Sequence, residues 1–331
     1  MRPVRARALS SAATASFVLA VATNSHAYCL TRTCEPPDQC EIVDGCNMSG
    51  HVLFWASSTV SFDVAKDSSC LRNLDRTCQL SADGTPKVAI TADTLEQVAT
   101  SAFGTWEAAD CGNGTHPSIR LKDLGQIDCA KPEYNKNGPN ANVITFHDSA
   151  WPYSMSSGSD TLALTTVFFD GDTGEIYDAN VEINSNLDNF SVGAPFGGEA
   201  PMSQGLPPDD LNAVLTHELG HFLGLSHSSV EKSTMFQTYM VGMSTLDPDD
   251  ELAICASLPP NRMPTTNDYT PRHGWSSECG TPAKGCCSAA IGADGPRRNT
   301  LGLWAFGLGL CALLGRGRAR LRRRSAPALP R

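Results

Sequence analysis

Acidic residues are missing from both ends of this 331-residue chain. Residues 1–27 hold Arg2, Arg5 and Arg7 and no acid, and residues 297–331 hold nine arginines and no acid. Basic residues are scarce in between: 28–296 carries 13 Lys and Arg against all 35 Asp and Glu, a formal −22 inside an overall −10. A body so poor in cations is repelled by phosphate backbones and anionic lipid surfaces, which excludes nucleic-acid binding as its main role. The apolar run Leu301–Leu314 has 14 residues, short of the roughly 20 that a membrane-spanning helix wants. No cysteines show paired C-x₂-C spacing, which disfavours a zinc site built of cysteines. The composition that remains, 41% hydrophobic and 18% charged, suits a globular core and not a disordered acidic polymer. The length suits one large domain with appendages, or two small ones.

The two ends read as addresses. In 1–27 three arginines precede the apolar stretch Ala12–Ala22, and Ser25-His26-Ala27 forms a small-x-small cleavage site, the layout of a secretory signal peptide. At the other end, residues 259–298 form a Pro- and Cys-containing linker, and 299–331 a hydrophobic helix with an Arg-rich tail. The Arg cluster from Arg316 to Arg324 belongs on the cytoplasmic side of a membrane. Together with Gly285-Cys286-Cys287-Ser288 it resembles a myxobacterial C-terminal sorting tail. The resemblance implies an exported protein tethered at the cell surface, or secreted after processing. Cysteine use agrees: without Cys311 in the tail, 12 of the 13 remain, an even number that suits an oxidising compartment. Cys29, Cys34, Cys40 and Cys46 crowd residues 28–50 into a disulfide-stapled cap, and Cys70 with Cys78 and Cys111 with Cys129 are the nearest local pairings.

From His51 the pattern turns strand-like, with Val52–Trp55 and then alternation over Val60–Val64. Leu95, Val98, Ala99, Ala102, Phe103 and Trp106 recur at helical spacing, with Asp93 and Glu96 placed as a capping pair. Ile119–Leu121 and Asn142–His147 are short strand candidates. Leu162–Phe169 and Ala179–Ile183 flank the turn-rich Asp170–Gly174 as a hairpin. That acidic turn lacks EF-hand spacing, so calcium finds no support there.

One motif decides the chemistry. Residues 217–227 read HELGHFLGLSH. Pro207, Pro208 and the acids Asp209 and Asp210 open a helix over Leu211–Leu223, which Gly224 ends. On it His217 and His221, four apart, share one face and can bind one ion. The turn at Gly224 brings His227 back as a third ligand and leaves the fourth tetrahedral position for water. Glu218, beside the first ligand, is placed to act on that water as a general base.

The motif resembles the metzincin zinc-protease signature, in its matrixin branch. Ser228 follows the third histidine as in matrixins, and Met235 in Ser233–Tyr239 resembles their Met-turn. Asp247–Ile254 resembles their last helix, and the resemblance spans roughly 50–258. Gln237 stands where the family usually has proline, no Pro-Arg-Cys-Gly switch is present, and the spaced His and Asp of a structural-zinc loop are absent, leaving His116, His147 and His273 as ordinary surface or core residues. The resemblance implies an α+β zincin-like domain over 51–258 with a twisted mixed sheet. It implies one catalytic Zn²⁺ on His217, His221 and His227, with Glu218 as base and Met235 as an apolar floor. An edge strand within 161–169 would pair with an extended substrate. The expected activity is that of an exported endopeptidase, monomeric, acting on protein or peptide substrates. A catalytically inactive zinc-binding surface protein of the same fold and an astacin-type protease are the alternatives.

Overall fold

The computed structural model describes residues 27–34, 39–73, 75–129, 131–153, 161–186, 189–193, 209–240, 242–264, 271–279 and 321–325. Most of the signal segment, the sorting motif and the hydrophobic tail lie outside the described residues. Among the described residues no helix is long and apolar enough to cross a membrane.

The architecture is α+β. The strands of its main sheet are β1 (Phe54–Trp55), β2 (Thr59–Ala65), β3 (Arg120–Ile127), β4 (Val143–Phe146), β5 (Ala163–Asp170), β6 (Glu175–Ile183) and β7 (Leu321–Ser325). They form one sheet in the order β7-β5-β6-β4-β2-β3, with β1 against the start of β6. The pairs β2–β3, β2–β4, β4–β6 and β1–β6 are parallel, whereas β5 runs antiparallel to β6. The tight turn at Asp170–Gly174 makes that reversal. The Asp170 carboxylate accepts from the amides of Asp172 and Thr173, both at 2.9 Å, and from the Tyr177 hydroxyl. Gly174 closes the turn at φ 85°, and a Cβ there would lie 2.3 Å from the Val52 carbonyl oxygen. The carboxylate expected in a solvated turn is thus spent on the turn itself.

Helix α1 (Ala92–Glu107) carries the predicted apolar face inward, but its cap is Thr91, which accepts from the Thr94 amide. Asp93, within the first turn, instead accepts from Gln126 on β3 at 2.6 Å, as Glu96 does at 2.7 Å. Helix α2 (Leu211–Phe222) is capped by Asp210 and α3 (Pro248–Ser257) by a capping box of Asp247 and Asp250. Trp106 of α1 donates its indole N–H to the Thr216 carbonyl of α2, and Trp55 donates its own to the Phe222 carbonyl, both at 2.8 Å. Rings of Trp55, Phe222, Phe103 and Phe62 form a chain with neighbours 4.7–5.3 Å apart. The sheet, α1 and α2 therefore share one core, and α2 lies with every residue from Ala213 to Phe222 buried.

The cap cysteines pair as Cys29–Cys46 and Cys34–Cys40, and Cys70 pairs with Cys78. The local Cys111–Cys129 pairing is corrected: Cys111 joins Cys255 of α3, and Cys129 joins Cys279. Within the segment expected to be a linker, residues 271–279 are pinned to the face of the sheet opposite α1 and α2. Trp275 donates to Asp63 of β2 at 2.9 Å, and Asn140 exchanges backbone hydrogen bonds with Gly274 and Ser276.

Candidate metal centre and active site

Three imidazoles converge where α2 ends. Gly224, at φ 96°, turns the chain back on itself, which an L side chain would resist because a Cβ would meet the Leu53 carbonyl oxygen at 2.9 Å. That reversal delivers His227 to the two helical histidines. Ring centroids of His217, His221 and His227 lie 4.8–5.2 Å apart, and one nitrogen from each lies within 4.8 Å of the others.

Protein contacts select which nitrogen faces inward. His217 Nδ1 meets the Thr234 carbonyl at 2.6 Å, and His221 Nδ1 meets the Leu225 carbonyl at 2.9 Å. A carbonyl only accepts, so each Nδ1 carries the proton and each Nε2 keeps its lone pair. Nε2 of His217 and of His227 is buried and receives no hydrogen bond among the described residues. Burial depresses the His217 imidazole to about 3, helped by the neighbouring His227, and burial takes His227 down to about 4. Two rings fixed by carbonyls on their far sides, His217 and His221, and the buried Nε2 of His227 beside them fit a divalent metal such as zinc.

Glu218 is wholly buried beside them. Its Oε2 sits 2.5 Å from the Thr165 hydroxyl of β5, and its buried Oε1 has no hydrogen bond from a described residue. Burial lifts this carboxyl to about 8, with the Thr165 contact acting in the opposite direction. Met235 packs directly under the helix: a Cβ on Gly220 would fall 2.2 Å from its sulfur. The glycine of the motif is therefore room for Met235. Tyr239, further along the same turn, accepts from the Asp210 amide at the start of α2.

The structure brings His217, His221 and His227 together at the end of α2, with Glu218 buried in the same helix and Met235 packed against Gly220. Their supports were less visible. Asp250 of α3 accepts from the Ser233 hydroxyl and from the amides of Thr234 and Met235, and Asp249 accepts from the Ser228 hydroxyl at 2.6 Å. The paired acids thus hold the Met-turn and, through the Thr234 carbonyl, His217. The lone histidines take other partners: His116 meets the Ala109 carbonyl and His147 pairs with Glu182.

Residues 143–257 match the family model described as Matrixin. Over those residues the chain is matrixin-like. A stretch of 38 residues is 53% identical to Metalloendoproteinase 2-MMP of Arabidopsis thaliana, covering 12% of this chain and 10% of the plant protein. The match thus spans about a tenth of that relative's length. The matrixin match begins at β4 and ends at the last residue of α3. It takes in the edge hairpin, all three histidines, Glu218 and the turn that Asp250 holds. Strands β1 to β3 and α1 lie before it, yet α1 supplies Trp106, which packs against Gly220 of the motif.

Proposed function

We propose that the chain is an exported zinc-dependent endopeptidase. The observation that carries this is the convergence of three imidazoles, one ring nitrogen from each within 4.8 Å of the others, at the end of a helix that also carries the buried carboxylate of Glu218. His217, His221 and His227 would hold the metal. Zinc bound there supplies Lewis acidity, drawing the pKa of water toward neutrality and polarising a scissile carbonyl. Glu218 then takes the proton of the attacking water through Oε1 and returns it to the leaving amine, base first and acid second. Thr165 fixes the other carboxylate oxygen, so one oxygen remains for proton transfer. Strand β5, whose Thr165 touches Glu218, would align an extended peptide through backbone hydrogen bonds. Five disulfides among the described residues support export into an oxidising compartment, and the tail would tether the protein there.

Purified protein is expected to cleave casein or gelatin, to lose activity to a zinc chelator and to regain it with zinc. Glu218→Ala should abolish cleavage while the protein still folds and binds metal. Cleavage that survives this substitution, or a protein that binds no zinc, would refute the reading.

A further inference from the structure

Residues 29–33 of the disulfide-stapled cap run between two backbone partners. On one side Thr33 donates its amide to the His51 carbonyl at 2.9 Å, and Leu53 donates to the Thr31 carbonyl at 2.8 Å. Arg32 stands opposite Val52 in that pairing. On the other side lies the loop that delivers His227. Thr31 donates to the Gly224 carbonyl and Ser226 to the Cys29 carbonyl, both at 2.9 Å, with Leu30 opposite Leu225. Both pairings are antiparallel. The cap segment thus fastens residues 224–226 to the chain that enters β1. The Leu225 carbonyl at its centre accepts from the Thr31 hydroxyl at 2.8 Å and meets His221 Nδ1 at 2.9 Å.

One covalent bond secures this segment. Cys29 is 6% exposed, and its disulfide to Cys46 ties the segment to the hairpin of Ile42–Val43 and Cys46–Asn47. Removal of residues 1–27, which the sequence predicts, would leave Cys29 one residue from the chain's end. A chain end frays unless it is tied down, and short pairings at a surface open at little cost. With thiols at 29 and 46, only hydrogen bonds and the packing of Tyr28 and Leu30 against the core would hold the segment.

We propose that Cys29–Cys46 is a redox latch on the metal loop. Oxidised, it holds residues 224–227 for tight metal binding; reduced, it releases the cap segment and lowers zinc affinity. Closing the latch forms one S–S bond: two thiols give two electrons and two protons to a small disulfide such as oxidised glutathione, which leaves as two thiols. The sequence has no Pro-Arg-Cys-Gly switch, and the latch supplies a latency that ends in an oxidising compartment. The inference rests on the metal-site part of the endopeptidase reading, and it is read by zinc retention and amide exchange instead of cleavage.

The test compares the full-length wild type with Cys29→Ala/Cys46→Ala and with Cys70→Ala/Cys78→Ala, which loses a disulfide of the 69–90 segment. In competition with a chelator the cap variant should hold zinc about tenfold more weakly than wild type, and the second variant should match wild type. In zinc-free protein the Thr31 and Ser226 amides should exchange about tenfold faster in the cap variant, while amides of α1 keep wild-type protection. Wild type treated with a phosphine reductant should lose about tenfold in zinc affinity and regain it with oxidised glutathione, a reversible step that the cap variant should lack. Equal zinc retention in wild type and cap variant, an equal loss in both double variants, the same reversible step in the cap variant, or α1 amides that open together with Ser226 would each overturn the latch. Wild type that binds no zinc would refute the endopeptidase reading, and amide exchange in the zinc-free protein would still decide whether the bond holds the loop.

Discussion

At the scale of single residues, the site is a set of polar atoms each assigned one task. Glu218 has two carboxylate oxygens in different situations: Oε2 against Thr165 and Oε1 buried with no hydrogen bond from a described residue. Fixing one oxygen leaves the carboxylate a single orientation toward its reaction partner. Loss of a hydrogen bond to a charged group costs about 1.5–3 kcal/mol. Thr165→Val, which keeps the side chain's shape, should therefore lower kcat by roughly ten- to a hundredfold. Metal content should stay at the wild-type level, because Thr165 touches no histidine. Steady-state kinetics with metal analysis would check it, and an unchanged kcat would remove Thr165 from the mechanism. No sequence pattern marks Thr165. It sits in an apolar run and meets Glu218 only because β5 crosses over α2, a contact between residues 53 apart.

At the scale of elements, the disulfide-stapled cap extends the metal loop. Its backbone pairs with the chain just past Gly224: the Thr31 amide donates to the Gly224 carbonyl, and the Ser226 amide to the Cys29 carbonyl, both at 2.9 Å. The Thr31 hydroxyl donates to the Leu225 carbonyl at 2.8 Å, the same oxygen that receives His221 Nδ1. Thr31 thus helps to hold the acceptor that sets the tautomer of a proposed ligand. Outer partners of this kind are worth about 10- to 100-fold in metal affinity. Thr31→Val should weaken zinc retention about tenfold in a chelator competition, and Thr31→Ser should restore it. Equal retention in all three proteins would show the cap to be packing alone. Helix α2 and the β5–β6 hairpin were legible in the sequence because their signals are local: a capping acid, a spaced motif, a turn of Asp and Gly. The cap's docking was not, since Leu30 meets Leu225 only through an isolated antiparallel bridge. The Cys111–Cys255 bond, 144 residues long in sequence, was illegible for the same reason, because proximity along the chain says nothing about which loops the fold brings together.

At the scale of the whole molecule, the sheet is held between two unlike layers. One is the apolar core with α1 and α2. The other is a polar layer in which segment 271–279, tied by Cys129–Cys279, lies over β2 and β6. Asp63 of β2 belongs to that second layer, fully buried, with Oδ1 accepting from Trp275 and Oδ2 without a hydrogen bond among the described residues. Burial raises its carboxyl to about 7; the nearby charge of Asp123 pushes the same way, and the Trp275 hydrogen bond opposes both. An unfolded Asp releases its proton near 3.8. Between about pH 4 and pH 7 the folded chain therefore holds a proton that the unfolded chain has lost. Stability from this group is full at the acidic end and falls as pH rises through that window. The loss should be on the order of 2 kcal/mol once solvent screening is allowed for. His217 and His227, lowered by burial, give metal-free protein the opposite slope below pH 6.5, so the comparison must be made against a variant. Asp63→Asn keeps the Trp275 acceptor and removes the ionisation. Urea melts of zinc-loaded protein at pH 5, 6, 7 and 8 should show the Asn variant gaining on wild type as pH rises, most steeply between 5 and 6 and levelling off above 7. A constant difference between the two proteins across that range would mean that Asp63 ionises without cost and that the layer beneath segment 271–279 is open to water.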